Sequence, residues 1–317
     1  MKFLVTDYDF ADLELEKRLV SEAGHELAAA QCRTEDEVIA AAKGCAGLLV
    51  QYAPVNAKVL AARPEIRVVS RFGAGFDTVN TDDAKKYGVW VSNSPDYGVH
   101  EVSAHALAMA LALVRHLPLL DRDVRSGKWM FDSTGELRRV SKLTLGILGV
   151  GRIGKRMAHI SRSIFGRVLG CDPYIAPGEF PEGVKSVAKE ELFRESDIVT
   201  LHVPLNEETR HIAGRPMLAL MKKGSFLVNT SRGSVANLDD VLAALDSGQL
   251  EGAGLDVLPK EPPAADHPVL RHPRVILSPH AAFYSDEGVK ELRTKAAQNL
   301  IDWANTGKPT YVVTEGR

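Results

Sequence analysis

Short β-branched runs alternate with helix-patterned segments along nearly the whole chain. Strands joined by helical crossovers run the same way, so this alternation restricts the fold to wound parallel sheets. One series reads as strands at 2–6, 47–51 and 67–71, with a helical segment at 12–23. A second series reads as strands at 143–148, 168–171, 197–202, 225–229, 252–257 and 275–277. Between them, residues 101–115 (EVSAHALAMALALVR) are apolar nearly all round and contain neither Gly nor Pro, as expected of a buried connecting helix. On that helix His105 and Met109 are expected to pack rather than to ligate. In 286–305, Val289, Leu292, Ala296, Leu300 and Trp303 form one apolar stripe, which reads as a helix returning to the first series. The predicted fold is therefore α/β, with two doubly wound parallel-sheet lobes and a cleft between them. Residues 1–99 and 285–317 make one lobe, and 100–284 the other; 317 residues suffice for two cores.

Charge and composition exclude several roles. A net charge of -2 provides no field to attract a nucleic acid backbone or an anionic membrane. Cys32, Cys45 and Cys171 include no CxxC pair, and three thiols cannot all pair, so they read as buried apolar residues in a reducing compartment. Asp7 interrupts the first apolar run, and the longest apolar stretch, 106–114, is about half a membrane span. A cytoplasmic protein with no membrane role is expected. Trp129 and Trp303 are expected to be packing anchors.

The clearest local signal is Gly149-Val150-Gly151-Arg152-Ile153-Gly154, which follows the strand-like 143–148 and opens a helix-like segment. Gly149 permits a tight turn, Gly151 lets the backbone approach a pyrophosphate, and Gly154 lets the helix pack on its strand. Unpaired N–H groups at the helix start, including Arg152 and Ile153, then face the anion. Asp172, 18 residues beyond Gly154, ends the strand-like RVLGCD, where a carboxylate accepts from ribose hydroxyls and repels a 2′-phosphate. Pro173 and Tyr174 follow it in place of a basic residue, so the pattern selects NAD over NADP.

Three further residues can handle a carbonyl and a proton. Arg232 lies in Asn229-Thr230-Ser231-Arg232-Gly233, just past a strand, where a guanidinium can grip a carboxylate through two parallel hydrogen bonds. Glu261 sits in a proline-bordered loop and His280 in Ser278-Pro279-His280-Ala281. A carboxylate beside an imidazole orients the ring and favours its protonated form, which suits a proton donor. Singly, each is an ordinary surface residue. Their meaning depends on convergence in space.

From 143 to 282 the chain resembles the D-isomer-specific 2-hydroxyacid dehydrogenases, which carry GxGxxG, a strand-end Asp, N-T-x-R-G, D-V-x-x-x-E-P and S-P-H-x-A in this order. The resemblance implies that Arg232 binds the carboxylate and carbonyl of a 2-oxo acid, that His280 is the acid/base, and that Glu261 pairs with it. It also implies that His202, Val203, Pro204, Thr209, Thr230, Ser231, Arg232, Asp256 and His280 line the cofactor pockets. In the N-terminal half, Arg71-Phe72-Gly73-Ala74-Gly75-Phe76-Asp77 matches the glycine turn. Backbone N–H groups of its Gly73, Ala74 and Gly75 can form an anion nest, which the resemblance implies holds the substrate carboxylate. Gln51, Tyr52 and Phe283 are read as substrate-pocket residues.

VQYAPV at 50–55 and HAAFYS at 280–285 look most like the C-terminal-binding-protein branch and its bacterial relatives. Phe283 stands where that branch often has Trp, which bears on substrate preference. Ala104 and Thr78 replace a common acid and a common Asn of the wider family. The implied activity is NAD-dependent hydride transfer between NADH and the C2 carbonyl of a small 2-oxo acid, giving a D-2-hydroxy acid. The implied assembly is a homodimer through the nucleotide lobe. Two other readings stay open at this point: an NADH-sensing, protein-binding module of the co-repressor type, and a dehydrogenase of formate or phosphite on the same fold.

Overall fold

The computed structural model describes every residue, Met1–Arg317, and the chain divides into two units, Met1–Gly98 with Ser285–Arg317, and Val99–Tyr284. In the first unit β1 (Lys2–Val5), β2 (Glu26–Ala29), β3 (Gly47–Val50), β4 (Val68–Arg71) and β5 (Trp90–Ser92) pair in parallel in the order β2-β1-β3-β4-β5. A short C-terminal strand, Val312–Thr314, adds antiparallel to β5 and completes six strands. Leu4, Leu48, Val50, Val69 and Val91 bury one sheet face together with Val38, Val59 and Leu60. The helix Asp286–Thr306 buries Leu292, Ala296 and Leu300 as its stripe requires. The Ser285 side chain caps it, accepting the Gly288 N–H at 2.8 Å. Buried Asn299 donates to the Asn93 carbonyl at 2.9 Å and accepts the Tyr311 N–H at 3.1 Å, tying helix, β5 and C-terminal segment together.

In the second unit β6 (Thr144–Leu148), β7 (Arg167–Cys171), β8 (Val184–Ser186), β9 (Ile198–Leu201), β10 (Ser225–Asn229), β11 (Leu250–Leu255) and β12 (Val275–Leu277) form a wholly parallel sheet. Their order is β8-β7-β6-β9-β10-β11-β12. The direction of winding reverses between β6 and β9, and ligands of such sheets bind beyond the strand C-termini at this switch. β6, β9 and β10 are buried along their whole length, so they read as mostly apolar runs without strict alternation. The apolar helix Val99–Val114 lies against β11. A methyl group at Gly252 would stand 2.9 Å from Leu113 Cδ2, and one at Gly254 would stand 3.1 Å from Met109 Cβ. Glycines in this strand make room for the helix.

Trp129 is not a packing anchor. It is 85% exposed, and its neighbours Met130 and Phe131 are 64% and 90% exposed. Their loop is nonetheless fastened: His116 Nδ1 meets the Thr134 carbonyl at 3.2 Å, the Lys128 N–H donates to the Asp123 carbonyl at 2.9 Å, and Arg138 pairs with buried Asp197 at 2.7 Å. The three consecutive apolar residues lie outside any helix or strand, so no periodic face turns them inward. No single helix is long and apolar enough to cross a membrane.

Candidate active site

β10, β11 and β12 are neighbours, so the loops leaving their C-terminal ends start about 5 Å apart. Each carries one of the three predicted residues. After β10, Asn229 folds the chain back: its Oδ1 accepts the Ser231 N–H at 3.1 Å and the Ser231 hydroxyl at 2.9 Å, while its Nδ2 donates to the Arg232 carbonyl at 2.9 Å. Gly233 lies flat against the Leu258–Pro259 backbone, which occupies the space a side chain would need. The loops after β10 and β11 are thereby held in contact. After β11, Glu261 turns inward and its Oε1 accepts the Leu258 N–H at 2.8 Å. Its Oε2 lies 2.7 Å from Nδ1 of His280, the residue beyond β12. The Phe283 ring meets that imidazole edge to face, with centroids 6.3 Å apart.

Partial burial disfavours the charged form of Glu261, but the His280 hydrogen bond and charge, the Leu258 N–H and the nearby Arg232 guanidinium outweigh it. They hold the carboxyl below its usual range. A carboxylate at Oε2 accepts only, so Nδ1 of His280 carries a hydrogen and Nε2 is the ring atom left for proton exchange. His280 itself adopts a left-handed backbone, φ 54°, a conformation costly for a residue with a Cβ. Buried Asp256 supports it. The Asp256 carbonyl accepts the His280 N–H at 2.8 Å, and its carboxylate accepts the N–H groups of Ala281 at 2.8 Å and Ala282 at 3.0 Å.

At the switch point Gly149 has φ 88°, a Cβ on Gly154 would strike the Gly149 carbonyl, and Gly151 has open space on its Cβ side. Gly151 also begins the helix Arg152–Ser161 without a side-chain cap, which leaves its first N–H groups, Arg152 and Ile153 among them, without a side-chain acceptor. Asp172 Oδ2 accepts the Val150 N–H at 2.9 Å and its Oδ1 the Tyr174 N–H at 3.0 Å. The loop after β9 carries His202, Val203 and Pro204. Thr209 staples it by donating to the Pro204 carbonyl at 2.5 Å and accepting the Asn206 N–H at 2.9 Å.

Residues 107–282 match the family model described as "D-isomer specific 2-hydroxyacid dehydrogenase, NAD binding domain". This chain belongs to the D-isomer specific 2-hydroxyacid dehydrogenase family. Over 274 residues it is 37% identical to a glyoxylate reductase of Korarchaeum cryptofilum, covering 83% of this chain and 80% of that protein. Over 263 residues it is 35% identical to a D-lactate dehydrogenase of Streptococcus agalactiae, covering 78% and 79%. Among solved structures, the D-lactate dehydrogenase of Aquifex aeolicus complexed with NAD and lactic acid superposes with a TM-score of 0.88 at 27% identity, over 99% of this chain and all of that one.

The residues present in this dehydrogenase fit NAD. The glycine loop is open at Gly151 where a pyrophosphate needs to approach. Two buried polar atoms just past the adjacent ends of β9 and β10, His202 Nδ1 and Thr230 Oγ1, have no hydrogen-bond partner within the protein. Each Asp172 oxygen, having accepted one backbone N–H, retains a lone pair for a ribose hydroxyl.

Two supporting residues escaped the sequence reading. Asp7 is fully buried, and its carboxylate accepts the N–H groups of Gln51 at 3.2 Å, Tyr52 at 2.6 Å and Ala53 at 3.1 Å. It thus shapes the loop of two predicted substrate residues, of which Gln51 is buried and Tyr52 is 45% exposed. An acid two residues past the apolar run of a first strand was the available signal. His105, expected only to pack, instead places its Nε2 2.9 Å from the Ser278 hydroxyl. In the glycine turn Gly73 has φ 142°, and the Arg71 side chain fills the place of its missing Cβ. The carbonyls of Gly73 and Ala74 accept from the Ser94 N–H at 2.9 Å and from Asn93 Nδ2 at 2.6 Å.

Proposed function

We propose that this dehydrogenase reduces the C2 carbonyl of a small 2-oxo acid to the D-2-hydroxy acid, with His280 as the proton donor. The observation that carries this reading is the 2.7 Å contact between His280 Nδ1 and Glu261 Oε2, one strand end away from Arg232. When bound, NADH supplies the hydride that C2 receives. His280 gives a proton from Nε2 to the carbonyl oxygen, while Glu261 keeps the ring oriented and stabilises its cationic form. Arg232 holds the substrate carboxylate and polarises the carbonyl. The unit comprising 100–284 binds NAD through Gly149, Gly151, Arg152, Ile153, Gly154, Asp172, the His202-Val203-Pro204 loop, Thr209, Thr230, Ser231 and Asp256. Residues 1–99 and 285–317 form the substrate-binding domain, in which Gly73, Ala74 and Gly75 offer N–H groups to the carboxylate. Gln51 and Tyr52 of this domain, and Phe283 of the NAD-binding one, are the proposed substrate-contacting residues.

Stopped-flow NADH oxidation tests this with glyoxylate, hydroxypyruvate, 3-phosphohydroxypyruvate and a branched 2-oxo acid. Rapid consumption with at least one acid, abolished in Arg232→Ala, is expected. Absence of consumption at millimolar acid would overturn the reading in favour of a nucleotide sensor.

Assembly and setting complete the proposal. Trp129, Met130 and Phe131, held out on a fastened loop, support pairing of two copies as a homodimer. Three free thiols support a reducing, cytoplasmic setting. Sedimentation of wild type against Trp129→Glu checks the assembly: a dimer that becomes a monomer is expected.

A further inference from the structure

The helix Val99–Val114 meets the strand β11 in a register that reaches the catalytic loop. Leu113 lies over Gly252 and Met109 over Gly254. Four residues of helix advance about 6 Å and two residues of strand about 6.6 Å, so the next step of each brings His105 to the level of Asp256. His105 is the first polar residue on that stripe, and it arrives where β11 ends.

There its Nε2 lies 2.9 Å from Ser278 Oγ and 3.8 Å from Asp256 Oδ1. The Ser278 hydroxyl lies 2.5 Å from Asp256 Oδ1, and a carboxylate oxygen in this position accepts. The single hydroxyl hydrogen of Ser278 is therefore committed to Asp256, and toward His105 its oxygen can only accept. His105 must carry its hydrogen on Nε2. Asp256 in turn holds the left-handed His280 backbone through the His280, Ala281 and Ala282 N–H groups. A donor at His105 thus fixes the hydroxyl, the hydroxyl fixes the carboxylate, and the carboxylate fixes the turn that aims the imidazole.

We propose that His105 is a positioning residue for His280, acting through Ser278 and Asp256 by donating a hydrogen bond from Nε2. This rests on the reading of His280 as proton donor, and the tests separate the two. In histidine-labelled protein, long-range proton–nitrogen correlations should show His105 as the Nε2–H form; an Nδ1–H form would overturn the proposal whatever the enzyme does. His105→Phe keeps the apolar stripe and removes the donor. It should shift the amide resonances of Ala281 and Ala282 and lower kcat about tenfold, the scale of one lost hydrogen bond, with the KM for NADH and Tm little changed.

His105→Gln, which restores an N–H at the same reach, should recover most of the lost turnover; Gln no better than Phe would overturn the proposal. Ser278→Ala breaks the same chain without touching the helix, so it serves if His105→Phe fails to fold. The double variant should be no slower than either single one, because both remove one linkage. Multiplying losses would overturn the coupling. Full turnover in both single variants would overturn the positioning role, whereas full turnover in His280→Ala would overturn the catalytic reading and leave the Nε2–H assignment and the amide shifts standing.

Discussion

Both oxygens of Glu261 are engaged: Oε2 lies 2.7 Å from His280 Nδ1, and Oε1 accepts the Leu258 N–H at 2.8 Å. The carboxylate is anchored to its own loop and steers a ring on the next strand end, so the imidazole cannot pivot without losing a charge-assisted hydrogen bond.

Removing the imidazole and removing only the charge that orients it should therefore differ in size. His280→Ala is expected to lower kcat about 1,000-fold, within the usual worth of general acid catalysis. Glu261→Gln retains an acceptor for Nδ1–H but not the charge, and should cost about 10- to 100-fold. NADH affinity, read by fluorescence titration, should change little in either. Equal turnover in Glu261→Gln and wild type would show that the pair is structural.

On the reading proposed above, Asp172 has two tasks: one oxygen accepts the Val150 N–H at 2.9 Å, and its charge repels a 2′-phosphate. Asp172→Asn keeps an acceptor for the loop and removes the charge. The ratio of kcat/KM for NADPH to that for NADH should rise about tenfold. Steady-state kinetics with both nucleotides check this; an unchanged ratio would mean that discrimination lies elsewhere.

The buried strands of the second unit were legible because they are mostly apolar rather than alternating: β6, β9 and β10 are sealed on both faces. The glycine motif and Asp172 were legible because their chemistry is local. The strands that escaped notice are short and marginal. β2 reads Glu-Leu-Ala-Ala with neither end buried, β5 and β8 span only Trp90–Ser92 and Val184–Ser186, and the C-terminal strand Val312–Thr314 is three half-buried residues on an edge. Pairing with a neighbour defines such strands, and periodicity carries no record of it. The same limit hid His105. Its spacing from Met109 announces a packing face, and only the arrival of Ser278 from 173 residues away turns that position into a hydrogen-bonding one. Trp129 failed in the opposite sense: a large apolar side chain promised burial, and the fold holds it in solvent.

Gly233 is where the Arg232 and Glu261 loops touch, and the Leu258–Pro259 backbone leaves no room for a Cβ. Gly233→Ala must push the two loops apart. We expect a loss of stability of about 2–3 kcal/mol, typical of a forced steric change in a packed region, and a fall in kcat/KM larger than the fall in NADH affinity. Urea denaturation and kinetics on the same preparation check both. A variant as stable and as active as wild type would show that the loops do not need this contact.

His202 gives the fold a pH dependence of its own. Burial lowers its pKa from 6.5 to about 4, with Nε2 3.0 Å from the Thr200 hydroxyl and Nδ1 sealed from solvent. The folded-state value lies below the unfolded one, so the unfolded chain takes up a proton first as pH falls. Stability from this residue is complete above about pH 6.5, declines between about 6.5 and about 4, and is constant below, with a limiting slope of about 1.4 kcal/mol per pH unit. Depressed carboxyl groups act in a lower window. At Asp197 burial is outweighed by hydrogen bonds from the Thr144 N–H, Arg138 and Lys222, so its contribution persists until pH falls through a value under 3.8. Urea unfolding from pH 7 to pH 4.5 should therefore show a slope in wild type that His202→Asn flattens. Parallel curves for the two proteins would mean that the ring is hydrated in the folded state.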